Sequence, residues 1–438
     1  MSIGVNRGGP PRGAGRARRT RHPTRVPPTA IATVWVSPFR AFGLAGVAYG
    51  VALIAAWTAA QAGLAAPIAS SAATAGWHGH EMLFGFAGAI VCAIVLTALP
   101  GWAGTPELRG APLAGLFALW LAARAGYWAQ DALPSAAATA LACAPWAVLA
   151  ALLAVQLARV AERTYLALFA VVAAILAAEA LSLSGHAARG QATMIHALVV
   201  LYALAAGLFT PVFTGNHLRR VGRGDLPPVR MPLEVAAVAS IVAYAALDLA
   251  GAPASVRGGA AYVAAALNAW RMARWRGWRV PGEPLLWTMH AGYAWLVVSL
   301  ALAGLAAFGD AAAARAWLHA YTVGALGSMM IGLLTRVVLR HTGRPLVLPV
   351  PIVAAHGLVQ IAALARVGAA LAMDARPALV VAGVAWTLAF ALYLASFGAY
   401  LVRPSLPRDP NPLADDSRAP PAAAEPSTAF DPKRGKPP

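Results

Sequence analysis

Long apolar runs alternate with short, arginine-bearing breaks along most of the chain. Twelve runs stand out: 40–62, 80–101, 111–130, 136–158, 164–184, 191–213, 231–250, 256–273, 285–307, 317–339, 350–372 and 378–401. Each is close to the ~20 residues that cross a hydrocarbon core as a helix. The runs are continuous and lack the period-two alternation of strands. They predict an all-α, polytopic membrane bundle of about twelve helices, not a barrel.

The flanks read differently. Residues 1–35 are rich in Arg, Gly and Pro, with RARRTRHPTR at Arg16–Arg25, and no apolar segment follows directly. This predicts a disordered basic tail, not a cleaved leader. Residues 404–438 turn Pro-rich and charged and predict a second tail, leaving 36–403 as the transmembrane domain.

Loop arginines orient the bundle. Arg109, Arg159, Arg163, Arg219, Arg220, Arg223 and Arg230 fall on the side of the N-terminus, with a further group at 271–279 and Arg340 and Arg344. The opposite loops hold only Arg189, Arg257, Arg315 and Arg376. By the positive-inside rule both termini are expected in the cytoplasm.

Composition agrees. Of 438 residues, 60% are hydrophobic and 11% charged, more apolar surface than a soluble core needs. The net charge of +18 lies in the tail and loops, so it reads as membrane orientation and not as a nucleic-acid groove. Cys92 and Cys143 both fall inside runs and indicate no disulfide framework. No phosphate-binding loop, dinucleotide fingerprint, HExxH or nucleophile elbow is present.

Topology then gives each histidine a depth. His78, His80, His186, His196 and His319 collect at the outer end, and His217, His290, His341 and His356 at the inner end. His319 and His341 lie about 33 Å apart along one helix at ~1.5 Å per residue, so they cannot share one mononuclear site. Imidazole suits haem iron and copper, and bundles build cofactor sites from inward histidines on several helices. Polar groups in hydrocarbon are costly, which makes intramembrane His and Glu functional candidates. The outer metal candidates are His78, His80, His196 and His319. A histidine at a helix end also suits a plain structural role. His78 and His80 point about 200° apart on a regular helix, so one of them is free to serve a second site. Glu81 is the candidate to orient a ligating histidine. Arg124 is placed to pair with Glu179 or Asp248, or with a haem propionate. Met82, Met194, Met289, Met329 and Met330 also lie in runs, as core filler or copper donors. WHGHE at the start of the second run and WLHAYTVG in the tenth echo each other faintly, without any internal duplication.

Several stretches resemble the NnrS family: HGHEMLFGFAGA from His78, LTALPGW from Leu96, PVFTGN from Pro211, PLLWTMHAGYAWL from Pro284, and HAYTVGALGSMMIGLLTRVVLRHTGRPL from His319. They occur in the family's order from the second run to the tenth. The chain departs from the pattern at Arg340, at Leu208 after Gly207, and at Gly101; His196 matches no family motif. The resemblance implies a multi-pass protein of the bacterial inner membrane that holds haem of the b type and copper and acts in resistance to nitric oxide and nitrosative stress. Its partners would be the bilayer and a small diatomic ligand such as nitric oxide. Cofactor-binding candidates are His78, His80, His319, His290 and His341. The last two would form a second, inner site beside Arg336 and Arg344. The resemblance names no reaction, and a redox enzyme acting on nitric oxide is one option. By analogy, haem–copper oxidases and nitric oxide reductases take ligands from helices two, six and ten, but the seventh run here has no histidine. The alternative is a proton-coupled secondary transporter that uses intramembrane histidines with Glu179 and Asp248.

Overall fold

The computed structural model describes residues 29–65, 75–158, 164–372 and 374–407. Most of the two expected tails lies outside these residues. All twelve predicted runs are helical. They are α1 (Pro38–Ala62), α2 (from Ala75 to Ala103), α3 (Ala111–Trp128), α4 (Ser135–Leu157), α5 (Thr164–Leu183) and α6 (Ala187–Arg220). The second half holds α7 (Met231–Leu249), α8 (Ala254–Arg274), α9 (Pro284–Ala307), α10 (Ala311–His341), α11 (Val350–Gly368) and α12 (Arg376–Val402). No strand occurs among the described residues. Ten of the helices are long and apolar enough to cross a membrane. The other two, α3 and α8, carry Arg124, and Arg257, Asn268 and Arg271, respectively. Their charge is used inside the bundle.

Helices adjacent in sequence pack side by side, and α12 returns to pack on α1. The centre belongs to α2 and α10. In their most apolar stretches 83% and 72% of residues are buried, against 28–50% in the other eight spans. Both central helices change pitch at the same place. α2 runs as Ala75–His80, then π-helical Glu81–Ala87, then α-helical again from Gly88. α10 runs as Ala311–His319, then π-helical Ala320–Leu326, then α-helical from Gly327. The faint echo in the sequence therefore has a backbone counterpart. His80, Gly85 and Gly88 recur at identical spacing as His319, Gly324 and Gly327. A π turn inserts a residue into the helical repeat and rotates everything beyond it, and such turns favour functional sites.

Small residues let α1 reach the central helix. A Cβ on Gly50 would sit 2.5 Å from the Phe86 ring, and one on Gly46 2.7 Å from the Ala89 methyl. With no hydrophobic drive between helices in lipid, such close contact supplies the packing energy.

Candidate functional site

Three polar assemblies occupy the end of the bundle where α2 and α10 begin. The first is a cavity of about 340 Å³ between α1, α2, α6, α10, α11 and α12. Its walls are mainly apolar, with Trp57, Phe86, Leu326 and Trp386 among them. Its polar lining includes His78, His319, Arg366 and Gln191. The His78 ring stacks on Trp57 with centroids 4.5 Å apart at 18°. His319 contributes a buried Nδ1 with no hydrogen-bond partner. Gln191 of α6 donates to the carbonyl of Gly76 over 2.7 Å and so braces the first turn of α2.

A second assembly centres on His80, which is buried together with Glu81, Arg124 and Glu179. Its Nδ1 is 3.0 Å from Glu81 Oε1 and its Nε2 is 3.1 Å from Glu179 Oε2. Arg124 donates to both carboxylates, 2.7 Å to Glu81 and 3.4 Å to Glu179. The Tyr49 hydroxyl donates to Glu81, and Trp128 Nε1 donates to Tyr49 over 2.9 Å. The His80 ring lies flat on Tyr127, with centroids 3.5 Å apart. Both ring nitrogens face carboxylates, an arrangement that a doubly protonated imidazole satisfies by donating twice. Two carboxylates then balance one guanidinium and one imidazolium.

Further along α6, His196 Nε2 lies 3.0 Å from Asp248, whose other oxygen accepts from Arg257 over 3.0 Å. His186 lies in the preceding loop and is exposed.

The outer candidates His78, His80, His196 and His319 are thus divided. His78 and His319 share the cavity, while His80 and His196 each pair with a carboxylate elsewhere. Among the described residues no three His, Cys, Asp or Glu side chains converge in a group that could hold a metal. The reason is angular. Residues two apart at the start of α2 point about 200° away from each other, so His78 turns to Trp57 of α1 and His80 to Tyr127 of α3 and Glu179 of α5. Arg124 meets Glu179 as expected, but its other partner is Glu81 and not Asp248.

At the opposite end His290 Nε2 bonds the Thr214 hydroxyl at 3.0 Å. That hydroxyl already donates to the Thr210 carbonyl, so the ring is the donor. Gly277 leaves room for the ring, because a Cβ there would sit 2.6 Å from it. His341 packs against Phe39, 5.4 Å between centroids, on a different helix from any His290 contact. Arg336 lies over Phe213 at 3.6 Å and Arg344 over Tyr400 at 3.7 Å.

Two features escaped the sequence reading as site elements. Arg366 of α11 lines the histidine cavity; its depth near the same end as His319 was the available signal. His356, also on α11, is fully buried with neither ring nitrogen hydrogen-bonded, and its ring meets Trp287 edge to face, 6.3 Å between centroids. Its helical position gave its depth but not its surroundings.

Compared with known families, residues 33–405 match the model described as NnrS protein. No curated protein matches the chain.

Proposed function

This chain belongs to the NnrS family, membrane proteins of the nitric oxide response, and from that premise we propose that it binds haem and copper. Its principal centre is assigned to the cavity of His78 and His319. One observation carries the assignment: a buried, partnerless imidazole nitrogen on His319, in a residue that shares an apolar cavity with a second histidine. A buried polar atom left without a partner costs free energy, and a ligand relieves it.

The residues suit such a group. His78 and His319 offer neutral imidazole donors, and Trp57 holds the His78 ring in plane. Arg366 supplies a cation for an anionic substituent, and Met82 a thioether. The remaining walls are mainly aromatic and aliphatic. When bound, haem or copper would supply a redox-active centre for a diatomic gas. The His80–Glu81–Arg124–Glu179 assembly ties α2 to α3 and α5 and so fixes where His78 points. We place the protein in a bacterial inner membrane with its arginine-rich end in the cytoplasm.

The transporter reading draws on the pairing of His80 with Glu179 and of His196 with Asp248. Oxidised and reduced absorption spectra of the purified chain, with metal analysis on the same sample, separate the two. A Soret band and bound copper, with the haem or the metal lost in His78→Ala and His319→Ala but kept in His290→Ala, are expected. A folded protein from haem- and copper-replete cells that holds neither would overturn the proposal in favour of transport.

A further inference from the structure

A larger hollow, about 1080 Å³, lies at the arginine-rich end between α6 and α7, well away from the histidine cavity. Its flanks are apolar: Leu204, Leu208 and Val212 on α6 face Val235, Val238 and Val242 on α7. Leu208, Val212, Val235 and Val242 are each about half exposed or more, so the hollow is a groove open to the side of the bundle. In a membrane that side meets acyl chains, not water. From Val235 to Ala246 the α7 wall runs about 16 Å at ~1.5 Å per residue. One leaflet of a ~30 Å hydrocarbon core has that depth.

Charge is confined to one end. Arg219, Asp225, Arg230 and Arg274 stand at the mouth, where the 221–230 loop enters α7. Arg219 is committed to Asp225. Arg271 and Glu234, slightly deeper, satisfy each other, and Arg271 also reaches Tyr293 and the Ala203 carbonyl. That leaves Arg230, whose side chain makes no hydrogen bond or ion pair with the described residues, and Arg274, which spends one donor on the Pro228 carbonyl over 2.7 Å. Two available guanidinium groups thus sit above an apolar trough one leaflet deep.

We propose that this groove is a binding site for an anionic glycerophospholipid, its phosphate at Arg230 and Arg274 and one acyl chain between α6 and α7. The polarity gradient selects the occupant. Free phosphate would leave the trough empty, and a prenylated quinone would bring only neutral carbonyls to the two guanidinium groups, which a phosphate meets with charge-assisted bonds. A zwitterionic lipid fills the trough equally well but gains less from the mouth, since arginines near the surface attract an anionic headgroup more strongly than a neutral one.

The test uses the full chain in detergent, offered dioleoyl-phosphatidylglycerol and dioleoyl-phosphatidylcholine in equal amounts and read by native mass spectrometry. One phosphatidylglycerol should be held about thirtyfold more tightly than phosphatidylcholine. The Arg230→Gln/Arg274→Gln double variant should remove that preference, and Val238→Trp should remove the tightly held lipid altogether. Should Val238→Trp fail to fold, the arginine pair decides alone. Equal retention of the two lipids, an unchanged preference in the double variant, or displacement of phosphatidylglycerol by a neutral prenyl quinone would each overturn the site. None of these outcomes depends on whether the histidine cavity holds a cofactor.

Discussion

Arg124 Nη1 donates to Glu81 Oε1 across 2.7 Å, with both side chains out of solvent. The guanidinium reaches Glu179 with its other terminal nitrogen, so one cation spans carboxylates from α2 and α5. Removing such charges from water is expensive, and the cost is repaid only while every partner is present. The assembly is therefore a clamp on the turn of α2 that carries His78 and His80.

Arg124→Leu should destabilise the protein by about 3–5 kcal/mol, because it strands two buried carboxylates. Arg124→Lys should recover little of this. A single ammonium cannot address Glu81 and Glu179 from separate nitrogens. Thermal unfolding in detergent checks both variants. A midpoint within about 2 °C of the parent for Arg124→Leu would show the clamp to be unimportant.

His78 and His80 should separate in their effects despite being two residues apart. His80→Ala leaves Glu179 facing an empty space and should lower the unfolding midpoint, while the folded fraction keeps its cofactor. His78→Ala removes a cavity-lining ring that only stacks on Trp57. It should lose cofactor with little change in the midpoint of the cofactor-free protein. The paired measurement is spectral occupancy alongside melting. The opposite pattern would move the centre to His80.

Much of this layout was legible in the sequence. The twelve helices followed from the length of the apolar runs, and the depth of each histidine followed from its place in a run. Angular position did not follow. Depth says that Arg124, Glu179 and Asp248 lie near one level, but not which neighbours face each other around the ring, and Asp248 turned out to serve His196 and Arg257. The π-helical stretches after His80 and His319 compound this. They rotate each central helix beyond its histidine, and a fixed 100° step cannot anticipate that rotation. Arg366 shows the same limit, since its approach to the histidine cavity depends on how α11 leans on α10.

Gly207 and Arg271 give a test of packing. A Cβ at Gly207 would fall 1.7 Å from Arg271 Nη2, so α6 has no room for a side chain there. Displacing the guanidinium would break its bonds to Glu234, Tyr293 and the Ala203 carbonyl. Gly207→Ala should cost about 3 kcal/mol. In an Arg271→Met background the same change should cost far less, and a double-mutant cycle measures that coupling. Additive effects would show that the two positions do not interact.

Among the described residues Arg40 is buried without a carboxylate partner, and its position explains how. From the first turn of α1 its Nη1 donates to the carbonyls of Tyr400, Leu401 and Arg403, at 3.0, 2.7 and 2.8 Å, and its Nη2 to the Ser405 hydroxyl at 2.9 Å. The last carbonyls of a helix have no partner of their own and carry the negative end of its dipole, so a cation there does the work of an anion pair. Ser405 in turn donates to the His341 carbonyl, and the Leu406 amide to Thr342, which brings the end of α10 into the same knot. Arg40→Met should therefore loosen the C-terminal ends of α10 and α12 together without disturbing the histidine cavity at the other end. Hydrogen exchange in peptides covering 397–407 and 338–344 should quicken about tenfold, while peptides covering 76–84 stay unchanged. Faster exchange throughout would instead mean that Arg40 supports global stability, and no change would mean that water replaces it at the carbonyls.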